Sequence, residues 1–251
     1  MSENRPFVLT IAGFDPSAGA GVLADVKTFE QHHVFGFAIN TGNTIQTEDV
    51  FYEIQWTDLT FVLKSLNTFF KKYEIKVVKI GVVPSLDYLK EIVSTVKKLS
   101  PKTKIVWDPV LKSSTNFNFL AIENQFILIE ILKNIDLITP NYNEISQLTI
   151  EKNSAKNIAS TLSEFCPVLL KGGHNTEAVG VDFLYIKANV FKLLPNKIIA
   201  FEKHGSGCVL SAVITANLAL EQDIKMACIN AKKYIESFLQ SNPTKLGYHH
   251  V

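Results

Sequence analysis

The stretch KHGSGC (203–208) holds the residues best suited to chemistry. Gly205, Ser206 and Gly207 precede a long apolar run, so several backbone N–H groups could converge on one anion at a helix start. Cys208 then falls in the first turn, where a helix N-terminus stabilises a thiolate and supplies a base or nucleophile near neutral pH. A packed core cysteine fits the same position. Cys166 and Cys228 lie in apolar, helical surroundings and read as core. His204, beside the turn, could touch phosphate or serve the fold.

Four other polar turns follow apolar runs. GFDPSAGAG (13–21) suits close backbone approach to a ligand, although structural turns use the same residues. It is neither a Walker A loop nor GxGxxG. WDPV (107–110) and TPNYNE (139–144) place Asp108 and Glu144 where they could hold Mg²⁺ directly or through water, or cap helices. LLKGGH (169–174) puts Lys171 where it could balance a phosphate or face solvent. The histidines show no HxxxH or HExxH spacing, and no histidine metal site is assigned.

These turns need a scaffold, and the chain alternates β and α patterns. Strands are expected at 7–13, 34–40, 76–83, 104–110, 135–141 and 167–173. Helical patterns cover 21–33, a stretch after Asp58 to Lys72, one through Lys98 that Ser85 could cap, 121–133, NYNEISQL and KNIASTLSEF, then 206–220 and 222–240. GVDFLYI and VFKLLP read as a hairpin turning at Lys187–Asn189, followed by KIIAFE. The pattern predicts an α/β three-layer sandwich: a mostly parallel central sheet with helices on both faces and antiparallel strands at one edge. Ligands of such sheets bind beyond the carboxyl ends of the strands, where the five turns fall.

The 251 residues, 47% hydrophobic, are expected to form one domain over 1–251, with no linker or repeat. A net charge of +1 gives no reason to expect nucleic acid or an anionic membrane as partner. Three well-separated cysteines without a CxxC pair fit reduced thiols in the cytoplasm. The N-terminal apolar run is too short for a signal or spanning segment.

Taken together and in order, LTIAGFDPSAGAGVLADVKTF, KIGVV, WDPVL, LITPNYNEISQL, LLKGGH, HGSGCVLSA and the terminal HH resemble the hydroxymethylpyrimidine/phosphomethylpyrimidine kinases of thiamine synthesis, in the ribokinase-like superfamily. The resemblance covers nearly the whole chain. It implies an ATP- and Mg²⁺-dependent transfer to a small pyrimidine, in a homodimer. Cys208 is then the base, with Gly205, Ser206 and Gly207 as anion hole. Gly13, Asp25 and Gln46 match positions that meet the pyrimidine. Asp108, Asn141, Glu144 and Lys171 match positions for ATP and metal, Asp108 and Glu144 being the metal pair. Departures gather at the pyrimidine side: INTGNTIQTED stands where the family has TALTAQNT before its second loop, and KIGVV replaces KIGML. That keeps a pyridoxal or pyridoxine kinase open, as well as a non-catalytic pyrimidine-binding protein. Residues 111–119 could form a lid.

Overall fold

The computed structural model describes residues 4–113, 117–150, 153–175, 178–196 and 201–249. Its strands are β1 (Phe7–Phe14), β2 (Phe35–Gln46), β3 (Phe51–Trp56), β4 (Ile75–Ile80), β5 (Lys104–Trp107), β6 (Leu137–Ile138), β7 (Val168–Leu170), β8 (Asp182–Ile186) and β9 (Asn189–Leu193). Its helices are α1 (Gly21–Gln31), α2 (Leu59–Lys72), α3 (Leu86–Leu99), α4 (Gln125–Leu132), α5 (Tyr142–Ile145), α6 (Ala155–Leu162), α7 (Ser206–Ala219) and α8 (Ile224–Leu239). One sheet joins all the strands in the order β3-β2-β1-β4-β5-β6-β7-β8-β9. The six from β2 to β7 in that order run parallel; β3 pairs antiparallel with β2, β8 with β7, and β9 with β8.

Continuous apolar runs make strands buried on both faces. Val78 and Ile80 point, with Ile105 and Leu170, into a core shared with α2, α3, α4 and α6. Val77, Val106 and Leu169 point the other way, against α1, α7 and α8. Adjacent residues thus serve opposite layers, as a period of two requires. Helix α7 is buried from Val209 to Ala219 and so shows no polar stripe. Ser85 caps α3 by accepting from Tyr88 N, as expected.

Three expectations need correction. Antiparallel strands lie at both edges, because β2 runs on to Gln46 and turns back as β3. That ribbon is partly exposed on both faces and carries no clean alternation to read. The expected strand over 104–110 stops at Trp107, ahead of Asp108 and Pro109, and that over 135–141 shrinks to Leu137–Ile138. Of KIIAFE, residues 197–200 lie outside the described residues, as do 114–116 of the expected lid and His250 of the terminal pair. The carboxyl ends of β1, β4, β5, β6 and β7 open on one rim, where α1 and α7 begin.

Candidate active site

Helix α7 starts at that rim. Its N-cap, Gly205, has φ +71°, and a Cβ there would lie 2.0 Å from the Gly19 carbonyl oxygen. Only glycine fits both the left-handed backbone and the contact with the first loop. Ser206 N–H closes the turn on the Lys203 carbonyl at 3.3 Å. The first N–H groups of α7 lie at its positive end, free of the i−4 partners an interior turn would have. Gly207 leaves room for charge: a Cβ there would be 3.2 Å from Lys171 Nζ and 4.0 Å from Asp108 Oδ2.

Those two side chains come from different strand ends and meet. Lys171 Nζ donates to Asp108 Oδ1 at 2.8 Å and lies 3.6 Å from Glu144 Oε2. Thr139 Oγ1 donates to Asp108 Oδ1 at 2.8 Å, and Ser211 Oγ of α7 to Oδ2 at 3.2 Å. Burial works against the charge of Lys171, but Asp108 and Glu144 outweigh it and hold its pKa above the usual lysine value. Burial pushes the Glu144 carboxyl above its ordinary range, against the pull of Lys171.

The expected metal pair, Asp108 and Glu144, meets across Lys171. Lys171 bridges Asp108 and Glu144, so an ammonium sits where a cation shared directly between them would go. Among the described residues no three His, Cys, Asp or Glu side chains gather as a metal site. Glu144 Oε2 accepts from Asn141 N at 2.7 Å, while Asn141 Oδ1 accepts from Asn143 N and Glu144 N at 2.8 and 2.9 Å. This capping box starts α5, so Asn141 and Glu144 carry structural work of their own. Asp108 Oδ2, facing the Gly207 turn, fits a hydrated Mg²⁺ completed by phosphate oxygens, since Mg²⁺ keeps much of its water.

The first loop locks onto the same turn. His204 Nε2 lies 2.9 Å from Asp15 Oδ2, so it serves the fold and does not face a phosphate. Asp15 also accepts from Ser17 N and Ala20 N, each at 2.9 Å. Burial would raise its pKa, but the bonds from His204, Ser17 and Ala20 outweigh burial and hold it below the usual value. Gly13 pairs with Gly42, and a Cβ on it would be 2.9 Å from Val82 Cγ1. Gln46 Nε2 donates to Thr44 Oγ1 at 2.9 Å, and Thr44 Oγ1 to the Phe14 carbonyl at 2.8 Å. Gly13 and Gln46 therefore share one corner. Asp25 does not open onto it. Fully buried, it pairs with Lys79 Nζ at 2.5 Å and accepts from Thr10 Oγ1 at 2.5 Å.

Cys208 is half-buried, whereas Cys166 and Cys228 are buried. The preformed thiolate expected at a helix start is not what the fold supplies. Burial pushes the Cys208 thiol up to about 11, with Asp108 and Asp25 adding to the rise and Lys79 opposing it. Lys79 is the residue that sequence reasoning missed. Its signal was there: one lysine inside the apolar run KVVKIGVV is a buried charge that must have a partner.

A family model for phosphomethylpyrimidine kinase matches residues 15–251. The hydroxymethylpyrimidine/phosphomethylpyrimidine kinase of Aquifex aeolicus is 35% identical over 249 residues, covering 95% of this chain and 96% of its own. The chain belongs to the phosphomethylpyrimidine kinase family. It is a phosphotransferase with the ribokinase-like fold, as the motifs implied. The phosphomethylpyrimidine kinase of Clostridium difficile, a solved structure, superposes with TM-score 0.76 at 31% identity, over 92% of this chain and 98% of its own. The pyridoxal kinase of Staphylococcus aureus in complex with pyridoxal gives TM-score 0.82 at 26% identity, over 97% and 92%. Phosphomethylpyrimidine kinase and pyridoxal kinase thus share the architecture, and the fold alone does not choose between their substrates.

Proposed function

We propose that the protein uses ATP to phosphorylate the hydroxymethyl group of 4-amino-5-hydroxymethyl-2-methylpyrimidine, and then the monophosphate it has made. The observation that carries this reading is the meeting of the Gly205–Cys208 turn, Asp108 and Lys171 at one rim, in a chain of this family. Related kinases form complexes with ADP and with AMP-PCP, which supports ATP as donor.

Phosphoryl transfer needs positioning and charge stabilisation more than covalent help. Lys171 and the N–H groups of the Gly205–Ser206–Gly207 turn act as the anion hole for the transferring phosphoryl group, the Ser206 N–H exchanging its bond to the Lys203 carbonyl for the phosphate. Mg²⁺, when bound through water at Asp108, neutralises charge on the phosphates. Gln46 presents its Oε1 to the ring amine, because its Nε2 is engaged by Thr44. Gly13 leaves room for the flat ring. In its thiolate form Cys208 takes the hydroxyl proton as the substrate oxygen bonds to the γ-phosphorus and the β–γ bridge breaks, releasing ADP. The protein acts as one kinase unit over 1–251, in the cytoplasm and as a homodimer. Sedimentation mass tests the dimer. Among the described residues no helix is long and apolar enough to cross a membrane.

The test is ATP consumption with Mg²⁺ on the hydroxymethylpyrimidine, its monophosphate and pyridoxal in parallel. Turnover on both pyrimidines, lost on chelation of Mg²⁺, is expected. The likeness to pyridoxal kinases makes pyridoxal the second reading, and turnover on pyridoxal alone would establish it. Binding of pyrimidine with no turnover on any substrate would contradict both.

A further inference from the structure

The charges behind Cys208 are not explained by phosphate binding. Lys79 lies on β4, fully buried, with its ammonium 2.5 Å from the equally buried Asp25. An ion pair held out of water generally costs in desolvation about what it returns, and apolar residues of similar volume often serve a core as well. Packing alone therefore gives no reason for this pair.

Its place in the fold does. Strand alternation puts Lys79 on the face of Val77, toward α1 and α7. Asp25 follows Gly21 by one helical turn, on the same side of α1. Gly205, three residues before Cys208, sits against Gly19 and Ala20 just ahead of Gly21: a Cβ on it would lie 2.0 Å from the Gly19 carbonyl oxygen and 2.8 Å from Ala20 Cα. Helix α7 packs on both α1 and β4. The first turn of α7 with its thiol, the start of α1, Asp25 and Lys79 thus lie in sequence from the rim into the sheet.

We propose that Lys79, partly balanced by Asp25, is a positioning residue that acts through Cys208, placing positive potential beneath its sulfur and setting how readily the thiol yields its proton. The inference rests on the reading of Cys208 as the base. The charged groups whose fields reach that sulfur are Asp25 from α1, Lys79 from β4, Asp108 after β5 and Lys171 after β7. Burial works against the charge of Lys79, but Asp25, Cys208 and Asp108 outweigh it and hold its pKa above the usual lysine value, so it is charged at neutral pH.

The test is the rate at which iodoacetamide alkylates Cys208 at pH 8 in the full chain, without nucleotide or metal, read by mass on the peptide that carries it. Buried Cys166 and Cys228 report folding in the same sample. Lys79→Met removes the positive charge and slows alkylation by about tenfold. Asp25→Asn keeps the shape, removes the negative charge and speeds alkylation by about tenfold. Lys79→Arg, which keeps the charge, holds a rate near wild type. A pair that only supported the fold would move Lys79→Met and Asp25→Asn in the same direction, and that result, or unchanged rates, overturns the proposal. Where Lys79→Met unfolds and exposes Cys166 and Cys228, Asp25→Asn decides alone: an unchanged or slower rate overturns it. The pH profile of turnover separates the two readings. Opposite shifts in alkylation with an unmoved profile retire Cys208 as base and leave the electrostatic link standing. Unshifted alkylation retires the link whatever turnover does.

Discussion

The two ends of the candidate site are built differently. At the phosphate end, Asp108, Lys171, Ser211 and Gly207 come from three separate stretches and are cross-linked by charge within the fold. At the pyrimidine end, Gln46 and Thr44 sit on β2 where it forms an edge ribbon with β3, tied by neutral hydrogen bonds. Phe117 and Phe119 cover part of that ribbon by packing their rings on Phe51, with centroids 4.8 and 5.1 Å apart. Changing a residue at the first end breaks a buried network, whereas changing one at the second loosens a contact. On the proposed function, phosphate chemistry is fixed by the core, and substrate choice is left to an edge that can vary.

Substitutions should separate the two ends. Cys208→Ala is expected to lower turnover by about 10²–10⁴-fold, the usual contribution of a positioned base, with ATP affinity unchanged in equilibrium binding. Asp108→Asn keeps the side-chain shape but leaves Lys171 short of a counter-charge. Breaking a buried pair costs about 3–5 kcal/mol, so urea denaturation should show a loss at the low end of that range, because Glu144 still faces Lys171. Gly205→Ala must escape both φ +71° and the 2.0 Å approach to Gly19. A loss of about 2 kcal/mol is expected, read by denaturation alongside reduced turnover. Gln46→Ala should be the mildest: KM for the pyrimidine rises by up to about tenfold, with KM for ATP unchanged. A loss of ATP affinity in Gln46→Ala would erase the distinction between the ends.

Much of this was legible in the sequence because it depends on local pattern. The alternation of apolar runs with helical spacing located the parallel strands, and Gly205–Gly207 before an apolar run announced the turn. Partnerships were less legible. Asp25 and Glu144 were expected to reach for ligands, yet Asp25 is held by Lys79, 54 positions away, and Glu144 belongs to the cap of its own helix. A polar residue after a strand looks the same in sequence whether it faces a ligand or another side chain. The state of Cys208 was misread for a related reason. Its position at a helix start is local and favours a thiolate, but the burial and the carboxylates that oppose one come from elsewhere in the chain. Strand β3 escaped notice because an edge ribbon exposed on both faces has no buried side to impose a pattern.

The central claim is that Cys208 takes the proton of the substrate hydroxyl as a thiolate, the minor form of a thiol pushed up to about 11. A base must be unprotonated to act, and well below its pKa the unprotonated fraction grows tenfold with each pH unit. The most direct measurement is kcat/KM for the hydroxymethylpyrimidine against pH, for the wild type and Cys208→Ala together. The account predicts a rise of about tenfold per unit between pH 7 and 9 in the wild type and a flat, low line in the variant. A flat wild-type profile, or the same rise in Cys208→Ala, would contradict it.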